Sequence, residues 1–490
     1  MDATLCAPKL PSSAIRMNKI TLILIGGLVA LTATAQKPAR TVGQKSAASR
    51  NLPEVPADLN LPQAEKLLWD RNLSIITNRY QLDANEAARR IAGFKPNPYL
   101  QLGMEQVVVY SPLAGSYPRF VETNSNAGAN PVYTALFNKT FERGGKREFR
   151  VEQADRNIAA ARAQILDTYR TQVFLLREAF ASAFLARDNL STAREMDANY
   201  QRVQDLTETR VKLGALAQVD LFRVRSGHLQ YSQAIVDAQN AYEQAAQDIL
   251  NLLNARPPDA PSTTSQIVYG PPGEKTTAVL APASVSVLRA GPTINVLGSF
   301  TDVSVPQTLE QIRDIALKQR PDVQQARENL LAAEAATKIA QAQRKRDISV
   351  GVEYQHVGDD SSVGIVAQVP LFLYNNQTAG IAQALAQRSA AEVQLRQAEI
   401  QAVTDVQKAY QSYLSARQSL DLFTNQNLTQ VAQLRDVAEF SFGHGATSLF
   451  ELLDVERTVL QSQTSYNQAR QNYQVAIWQL EEAAGQPLTP

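Results

Sequence analysis

The chain has 490 residues and is almost electrically neutral, with 48 lysines and arginines, 47 aspartates and glutamates, and a net charge of +1 at pH 7. This balance provides no bulk electrostatic field that would attract nucleic acid or an anionic membrane surface. The single cysteine, Cys6, excludes an intrachain disulfide framework, and the three histidines are scattered along the chain. Neither residue type therefore predicts a metal site.

An apolar run near the N-terminus has the features of a secretory signal. The run ITLILIGGLVAL, Ile20–Leu31, follows a basic flank and precedes Ala33-Thr34-Ala35. It is about a dozen residues long, too short to cross a bilayer as a helix. We predict a signal peptide over residues 1–35, starting at Met17, and export of the mature chain. Cleavage after Ala35 would leave no cysteine for N-terminal lipidation.

The two halves of the remaining chain look like copies of one unit. The matching positions include Leu61 with Leu309, Arg79 with Arg327, Gly103 with Gly351, and Gly214 with Gly445. The order of predicted elements also repeats, which is the stronger sign of an internal duplication. We therefore divide the chain into an extended N-terminal segment, a first repeat, an irregular insert rich in Pro, Gly, Ser and Thr, and a second repeat, over residues 36–60, 61–255, 256–306 and 307–486.

Each repeat begins with an amphipathic helical pattern, over about 61–94 and about 307–345, and then changes to a period of two. In DISVGVEYQ, apolar residues from Ile348 to Tyr354 alternate with small or polar ones, and SVGIVAQVPLF continues this pattern after a short turn. The first repeat has a matching pair, Tyr99–Tyr110 and Val132–Phe141, separated by a long polar loop. Such alternation predicts hairpins with one apolar and one polar face.

A very long helical pattern follows each hairpin. The first runs from Lys146 to Lys212 and, at 1.5 Å per residue, would span roughly 100 Å. The second has an apolar seam from Ala391 to Phe423, spaced by threes and fours as in a coiled coil. Return helices are predicted over about 217–254 and 448–485. Helices of this length are typical of a tube or stalk.

The predicted hairpins leave two structural interpretations open. No segment after the signal contains the roughly 18 apolar residues of a membrane-crossing helix, so a mature chain that crosses a membrane must do so with strands. Four strands are too few for a closed barrel, and several chains would have to pool theirs. The alternative is an ordinary water-soluble sheet packed on helices.

Several stretches resemble the outer-membrane efflux proteins of the TolC family over essentially the whole mature chain. RPDVQQARENLLAAEAATKIAQAQRKRDISVGVEY is similar to the opening of that family's second half, VPLF ends the fourth strand, and both helix breaks have the form G-x-x-x-x-x-[DE]. FERGGKREFR, Phe141–Arg150, is similar to the first helix entry in members that work with heavy-metal pumps.

The resemblance implies a mainly α fold with transmembrane β-strands, built from two tandem repeats of helix, hairpin and long helix pair. It further implies a homotrimer whose twelve strands form one barrel in outer-membrane lipid, continuing into a periplasmic α-helical coiled-coil tunnel. Such a protein is a passive exit duct, which docks onto a periplasmic adaptor and receives substrate from an inner-membrane pump. Its location would be the outer membrane, with a large periplasmic portion.

The resemblance also assigns residues to the periplasmic tip. Gly214 and Gly445 match the glycines at which the long helix turns back, and glycine suits a turn that needs a positive φ. The acids six residues further on, and one more a helical turn later, would narrow the channel aperture: Asp220, Glu451 and Asp454. Residues around both turns would contact the adaptor: Arg210, Leu213, Gly214, Leu216, Phe442, Gly445, Ser448 and Leu449.

Each of these assignments has a simpler alternative. Acids in the first turn of a helix favour the positive end of its dipole whether or not they line a channel. Residues around a turn are often merely solvated. His444 in the second turn invites a metal-binding role, but a lone turn histidine is usually just exposed. We therefore predict no metal site.

No catalytic constellation is present in the sequence. It contains no P-loop, no dinucleotide-binding glycine motif after a strand, and no Ser/His/Asp grouping that could be placed together. We predict that the chain is not an enzyme and needs no cofactor. The main rival function is a soluble periplasmic coiled-coil adaptor or binding protein. The repeated order of helix, hairpin and helix pair favours the duct.

Overall fold

The computed structural model describes residues 55–105, 132–255, 294–374, 376–424 and 427–489. The predicted signal peptide, the polar loop of the first hairpin and most of the insert lie outside these residues.

The described chain contains helices and strands in the order that the two repeats predict. The first half comprises β1 (Asp58–Asn60), α1 (Leu61–Arg71), α2 (Leu73–Ala92), β2 (Tyr99–Glu105), β3 (Val132–Phe141), α3 (Lys146–Lys212) and α4 (Gln218–Leu252). The second comprises β4 (Asn295–Leu297), α5 (Leu309–Gln319), α6 (Pro321–Ala342), β5 (Ile348–Val357), β6 (Asp360–Gln368), α7 (Thr378–Thr424), α8 (Asn427–Gly443) and α9 (Leu449–Ala484). Among these helices, none combines the length and apolarity that a membrane crossing requires.

The predicted first helix of each repeat is in fact two helices, so the continuous helices expected over 61–94 and 307–345 are wrong at their middle. Asn72 separates α1 from α2 with extended backbone, and its Oδ1 accepts hydrogen bonds from the N–H of Ser74 and of Ile75, at 3.0 and 3.3 Å. Arg320 separates α5 from α6 because a residue before proline, here Pro321, is disfavoured in the helical conformation. The first helix of each repeat is therefore interrupted at a corresponding place, by an N-cap residue in the first repeat and by a proline in the second.

The two predicted hairpins pair with each other in one four-stranded antiparallel sheet. Its strand order is β2-β3-β5-β6. Within this sheet, the two repeats therefore meet where β3 pairs with β5. The register joins Phe141 to Ile348 at one end and Val132 to Val357 at the other. Many of the sheet's large apolar side chains are exposed, including Leu102, Val352 and Ile365.

A second, smaller sheet joins the N-terminal segment to the insert. Strand β1 pairs in parallel with β4, with Leu59 opposite Val296. Both side chains are buried in a cluster with Leu176 and Phe180 of α3. The insert is therefore not irregular throughout, because its described end supplies a strand that packs against the long helix.

Both halves contribute to an apolar cluster at the end of the helices where the chain turns back, which we call the tip core. Its buried members come from four helices: Met196, Tyr200 and Val203 of α3, Val224 and Tyr231 of α4, Ala438 and Phe442 of α8, and Leu449, Leu452 and Val459 of α9. The lengths of α3, α4 and α9 agree closely with the prediction. The tip core positions both turns relative to one another.

Candidate functional site

Two turns of the same design close the tip. Gly214 follows α3 with φ 76°, and Gly445 follows α8 with φ 78°. The next residue in each turn donates its N–H back across the turn, Ala215 to the carbonyl of Arg210 at 2.9 Å and Ala446 to that of Ser441 at 2.8 Å. These bonds satisfy the last carbonyls of each helix, as a left-handed glycine cap does.

Replacing Gly445 with alanine is expected to lower the free energy of unfolding by roughly 1–2 kcal/mol, because an L-residue in the left-handed region brings its Cβ against the backbone. No atom lies within 4 Å of the position that this Cβ would occupy, so the cost would come from the backbone alone. Gly443 is a matched control, since it is the last residue of α8, is not among the glycines with positive φ, and has equally free space. There alanine should raise stability by up to about 1 kcal/mol. Urea unfolding of both variants in detergent measures the difference, and equal shifts would contradict this account.

The predicted aperture acids lie at the start of the two return helices. Ser448 caps α9 by accepting a hydrogen bond from the Glu451 N–H at 3.3 Å. Asp454, one turn further, pairs with Arg457 at 2.7 Å. Both carboxylates are exposed, so both are available to ions in solution.

The first half carries a similar pair at a shifted position. Asp220 binds Arg223 at 3.1 Å, also three residues apart. Because Asp220 aligns with Glu451 and Arg223 with Asp454, the first half presents one carboxylate and one cation where the second presents two carboxylates. At these aligned positions the negative charge is therefore greater on α9 than on α4.

Arg210 joins the two turns. Its Nη2 donates a hydrogen bond to the Gly443 carbonyl at 2.8 Å, and its guanidinium lies 4.8 Å from the centre of the Phe442 ring. Both contacts reach from the end of α3 to the end of α8, so this side chain holds the two helix ends together. The sequence prediction placed Arg210 at an adaptor contact, whereas its polar contacts here lie within the chain.

The other predicted tip residues divide into exposed and buried ones. Leu213 is 77% exposed and is free to meet a partner. Phe442 and Leu449 are 1% and 5% exposed, so they pack in the tip core. Leu216 packs partly against the same core, and Ser448 serves as the cap described above. Phe442 and Leu449, although predicted as adaptor contacts, therefore stabilise the turns by packing beneath them.

Sequence reasoning missed a set of exposed apolar side chains beside the turns. They include Val219, Phe222, Phe440 and Phe450, each within ten residues of a turn glycine. These residues could have been recognised from the sequence, because they are apolar but lie outside the row of apolar positions that packs each helix against its neighbours. Large aromatic residues exposed together are uncommon on a surface that meets only water.

A second missed residue, Glu456, lies inside the tip core. Its side chain is 1% exposed, and its Oε1 has no hydrogen-bond partner among the described residues. Burial, followed by repulsion from the Glu439 carboxylate, raises the pKa of Glu456 to about 7, although Arg435 partly opposes the shift. The helical pattern placed this residue on the inner face, but its charge made it look like a surface acid.

No group of three or more His, Cys, Asp or Glu side chains in the described ranges is arranged to hold a metal ion. His444 in the second turn instead stacks on Phe440, with 4.1 Å between ring centres, and its Nδ1 lies 2.8 Å from the Phe440 carbonyl oxygen. Its exposed ring therefore already has a local partner.

Comparison with known proteins identifies the family. The profile of the family described as outer membrane efflux protein matches residues 66–255 and 312–486. The chain belongs to this family. The resemblance to TolC-type proteins is thereby confirmed, and the family consists of channel proteins, not enzymes. This outer membrane efflux protein is an exit channel of a tripartite efflux system, located in the outer membrane with a periplasmic tunnel.

Similar proteins support both the family and the fold. The cobalt-zinc-cadmium resistance protein CzcC of Cupriavidus metallidurans is 22% identical over 449 residues, which cover 90% of this chain and 94% of CzcC. The outer-membrane channel OprN superposes with a TM-score of 0.68 at 18% identity, covering 88% of this chain and 91% of OprN. The open state of the Neisseria gonorrhoeae channel MtrE gives 0.64 at 16% identity, covering 87% and 89%. At such identities the two structures establish the fold of the efflux protein alone.

Proposed function

We propose that three copies of this chain assemble into one channel, with their sheets pooled in a twelve-stranded β-barrel and their long helices around a periplasmic tunnel. The observation that carries the proposal is the four-stranded sheet with exposed apolar side chains, whose edges are β2 and β6. In lipid, an open edge would leave backbone N–H and C=O groups unsatisfied. Pairing β6 of one copy with β2 of the next satisfies both edges.

The tip would then form the periplasmic mouth of the tunnel. Threefold symmetry turns each acid into a ring, so Glu451 and Asp454 would give two closely spaced rings of carboxylates, with Asp220 nearby. A narrow ring of negative charge attracts cations and holds back anions. These residues would set the size and the ion preference of the aperture.

The periplasmic adaptor would dock on the exposed apolar residues beside the turns. Leu213, Phe222 and Phe450 are all more than half exposed, and burial of such side chains against a partner is favourable. Gly214 and Gly445 would shape the contact by setting the path of the backbone. An inner-membrane pump, acting through this adaptor, would supply the substrate and the energy.

Divalent metal cations are the substrate class that we propose for the complete system. The similarity between this protein and CzcC extends over 90% of this chain. CzcC is named for resistance to cobalt, zinc and cadmium. A mouth lined with carboxylates is also compatible with cation passage. The efflux protein itself would conduct the ions passively and hold none of them.

Cell fractionation and a metal-sensitivity assay test the proposal. We expect the protein in the outer-membrane fraction, migrating on gels as a trimer that dissociates on heating, and we expect its deletion to sensitise cells to cobalt, zinc or cadmium. Recovery in the soluble periplasm without a heat-sensitive trimer would contradict the channel. Sensitivity to organic drugs with unchanged metal tolerance would contradict the proposed substrate class.

A further inference from the structure

Glu456 is a buried carboxyl group for which the channel described so far has no use. It lies about two turns into α9, beyond the aperture acids, and its side chain packs among the helices of the tip core. Its Oε1 is buried and without a hydrogen-bond partner among the described residues. An ionised carboxylate in this position would be costly, because burial removes its hydration without replacing it.

Charged and titratable groups face Glu456 from all four helices of the tip. Those that influence its charge, or that are influenced by it, are Arg435 and Glu439 of α8, Arg202 and Tyr200 of α3, and Tyr231 of α4, on which the adjacent Arg457 of α9 also acts. His228 of α4 stacks on Tyr200 and contacts Asp197 of α3 at 2.9 Å. The cluster contains cations, but each has another partner.

Because of these other partners, none of the nearby arginines is a dedicated counter-ion for the Glu456 carboxylate. Arg435 lies 3.2 Å from the Glu195 carboxylate and 3.8 Å from that of Asp436. Arg457 pairs with Asp454. Arg202 donates a hydrogen bond to Asn199. Glu439, in contrast, adds a second negative charge beside Glu456, so ionisation of Glu456 places two like charges at the junction of α8 and α9.

We propose that Glu456 is a proton-binding site that couples the packing of the tip to pH. As a neutral acid it completes the tip core; when it loses its proton, charge repulsion and the demand for hydration separate α8 from α9 near the turn. The effect on packing concerns the tip core alone. Its consequence for the channel, easier opening of the mouth as pH rises, rests on the proposed function.

The direction of the pH dependence follows from proton linkage. The pKa of Glu456 is raised from 4.5, the value for an open and hydrated side chain, to about 7 in the packed tip. The packed tip therefore binds the proton more tightly than the open one. Its extra stability is complete below the lower value and is lost as the pH rises towards the upper one, by up to about tenfold in the closed-to-open ratio per pH unit.

Infrared difference spectroscopy of the full-length protein in detergent tests the site directly. We expect a protonated-carboxyl band that disappears with a midpoint near the raised pKa of about 7, and that Glu456→Gln lacks. Glu392→Gln, at an exposed position on α7, should keep the band. If Glu456→Gln does not fold, Glu439→Gln should shift the midpoint to lower pH. A spectrum with no such band, or one that Glu456→Gln retains, would overturn the proposal.

Hydrogen exchange tests the mechanical consequence independently of any channel activity. Wild type and Glu456→Gln are compared at the same pH, which removes the intrinsic pH dependence of exchange. Near pH 8, amides of α8 and early α9 should exchange about tenfold or more faster in wild type, whereas near pH 4, below the pKa of the open side chain, the two should agree. Equal exchange near pH 8 would overturn the coupling. Because neither readout needs a trimer or a partner, failure here is distinct from failure of the proposed function.

Discussion

Replacing both Glu451 and Asp454 with alanine is expected to raise the single-channel conductance in planar bilayers and to weaken block by multivalent cations. The larger conductance follows from the removal of side-chain volume at the proposed aperture. The weaker block follows from the loss of negative charge, which lowers the local concentration of a divalent cation by about sixfold for each carboxylate some 8 Å from the ion. The weakening of cation block should be greatest at low salt, where screening of the carboxylates is least.

The isosteric variants Glu451→Gln and Asp454→Asn separate charge from size. They should lose cation block as the alanine variants do, but keep a conductance close to that of wild type. Asp454→Asn also frees Arg457 from its ion pair, so its effect on cations should be the larger of the two. Unchanged conductance together with unchanged cation block in the double alanine variant would remove both acids from the aperture.

The largest expected loss of stability comes from Phe442→Ala. The Phe442 ring is fully buried in the tip core, and the Arg210 guanidinium packs on it. This contact joins the end of α3 to the end of α8. Truncation of such a phenylalanine costs about 3–5 kcal/mol. Amides near the turn should then exchange at least about a hundredfold faster.

Phe440 provides the matched control for this substitution. It lies two residues earlier on the same helix, but it is 66% exposed and contacts the His444 ring. Phe440→Ala should change the free energy of unfolding by no more than about 0.5 kcal/mol. Equal destabilisation by the two substitutions, or protection of the turn amides in Phe442→Ala, would contradict the role of the tip core.

Much of the fold could be predicted because its patterns are long and repeated. The helix from Lys146 to Lys212 has the predicted bounds, since an apolar seam over so many turns has no competing interpretation. Strands β3 and β5 also agree, because alternation of apolar and polar residues fixes their faces. The turn glycines, Gly214 and Gly445, have the positive φ that their position after a helix suggested.

The misses concern features that depend on three-dimensional contacts. The break at Asn72 is stabilised by a hydrogen bond from its Nδ2 to the carbonyl of Leu252, 3.0 Å away but distant in sequence. The pairing of β1 with β4 likewise joins two segments of only three residues each, and the short β-branched run around β4 did not reveal its partner. A helical break or a three-residue strand decided by such contacts is invisible to periodicity.

The packing around the predicted site residues could not be derived from the sequence. Phe442 and Leu449 were expected to face a partner, although both are buried, because the turn brings four helices together rather than two. Glu456 was overlooked for the same reason. Its position on the seam was readable from the sequence, whereas its lack of a dedicated counter-ion depends on how three arginines are placed around it.

Chemical modification of a single cysteine at position 451 tests the central claim, that this tip is the mouth of a conducting channel, most directly. With Cys6 in the predicted signal peptide, the mature Glu451→Cys protein would carry one thiol per copy. A thiol-reactive methanethiosulfonate reagent should lower the single-channel current through Glu451→Cys in planar bilayers and leave the cysteine-free parent unaffected. A parent that forms no channel, or a current through the modified variant that stays unchanged, would contradict the account.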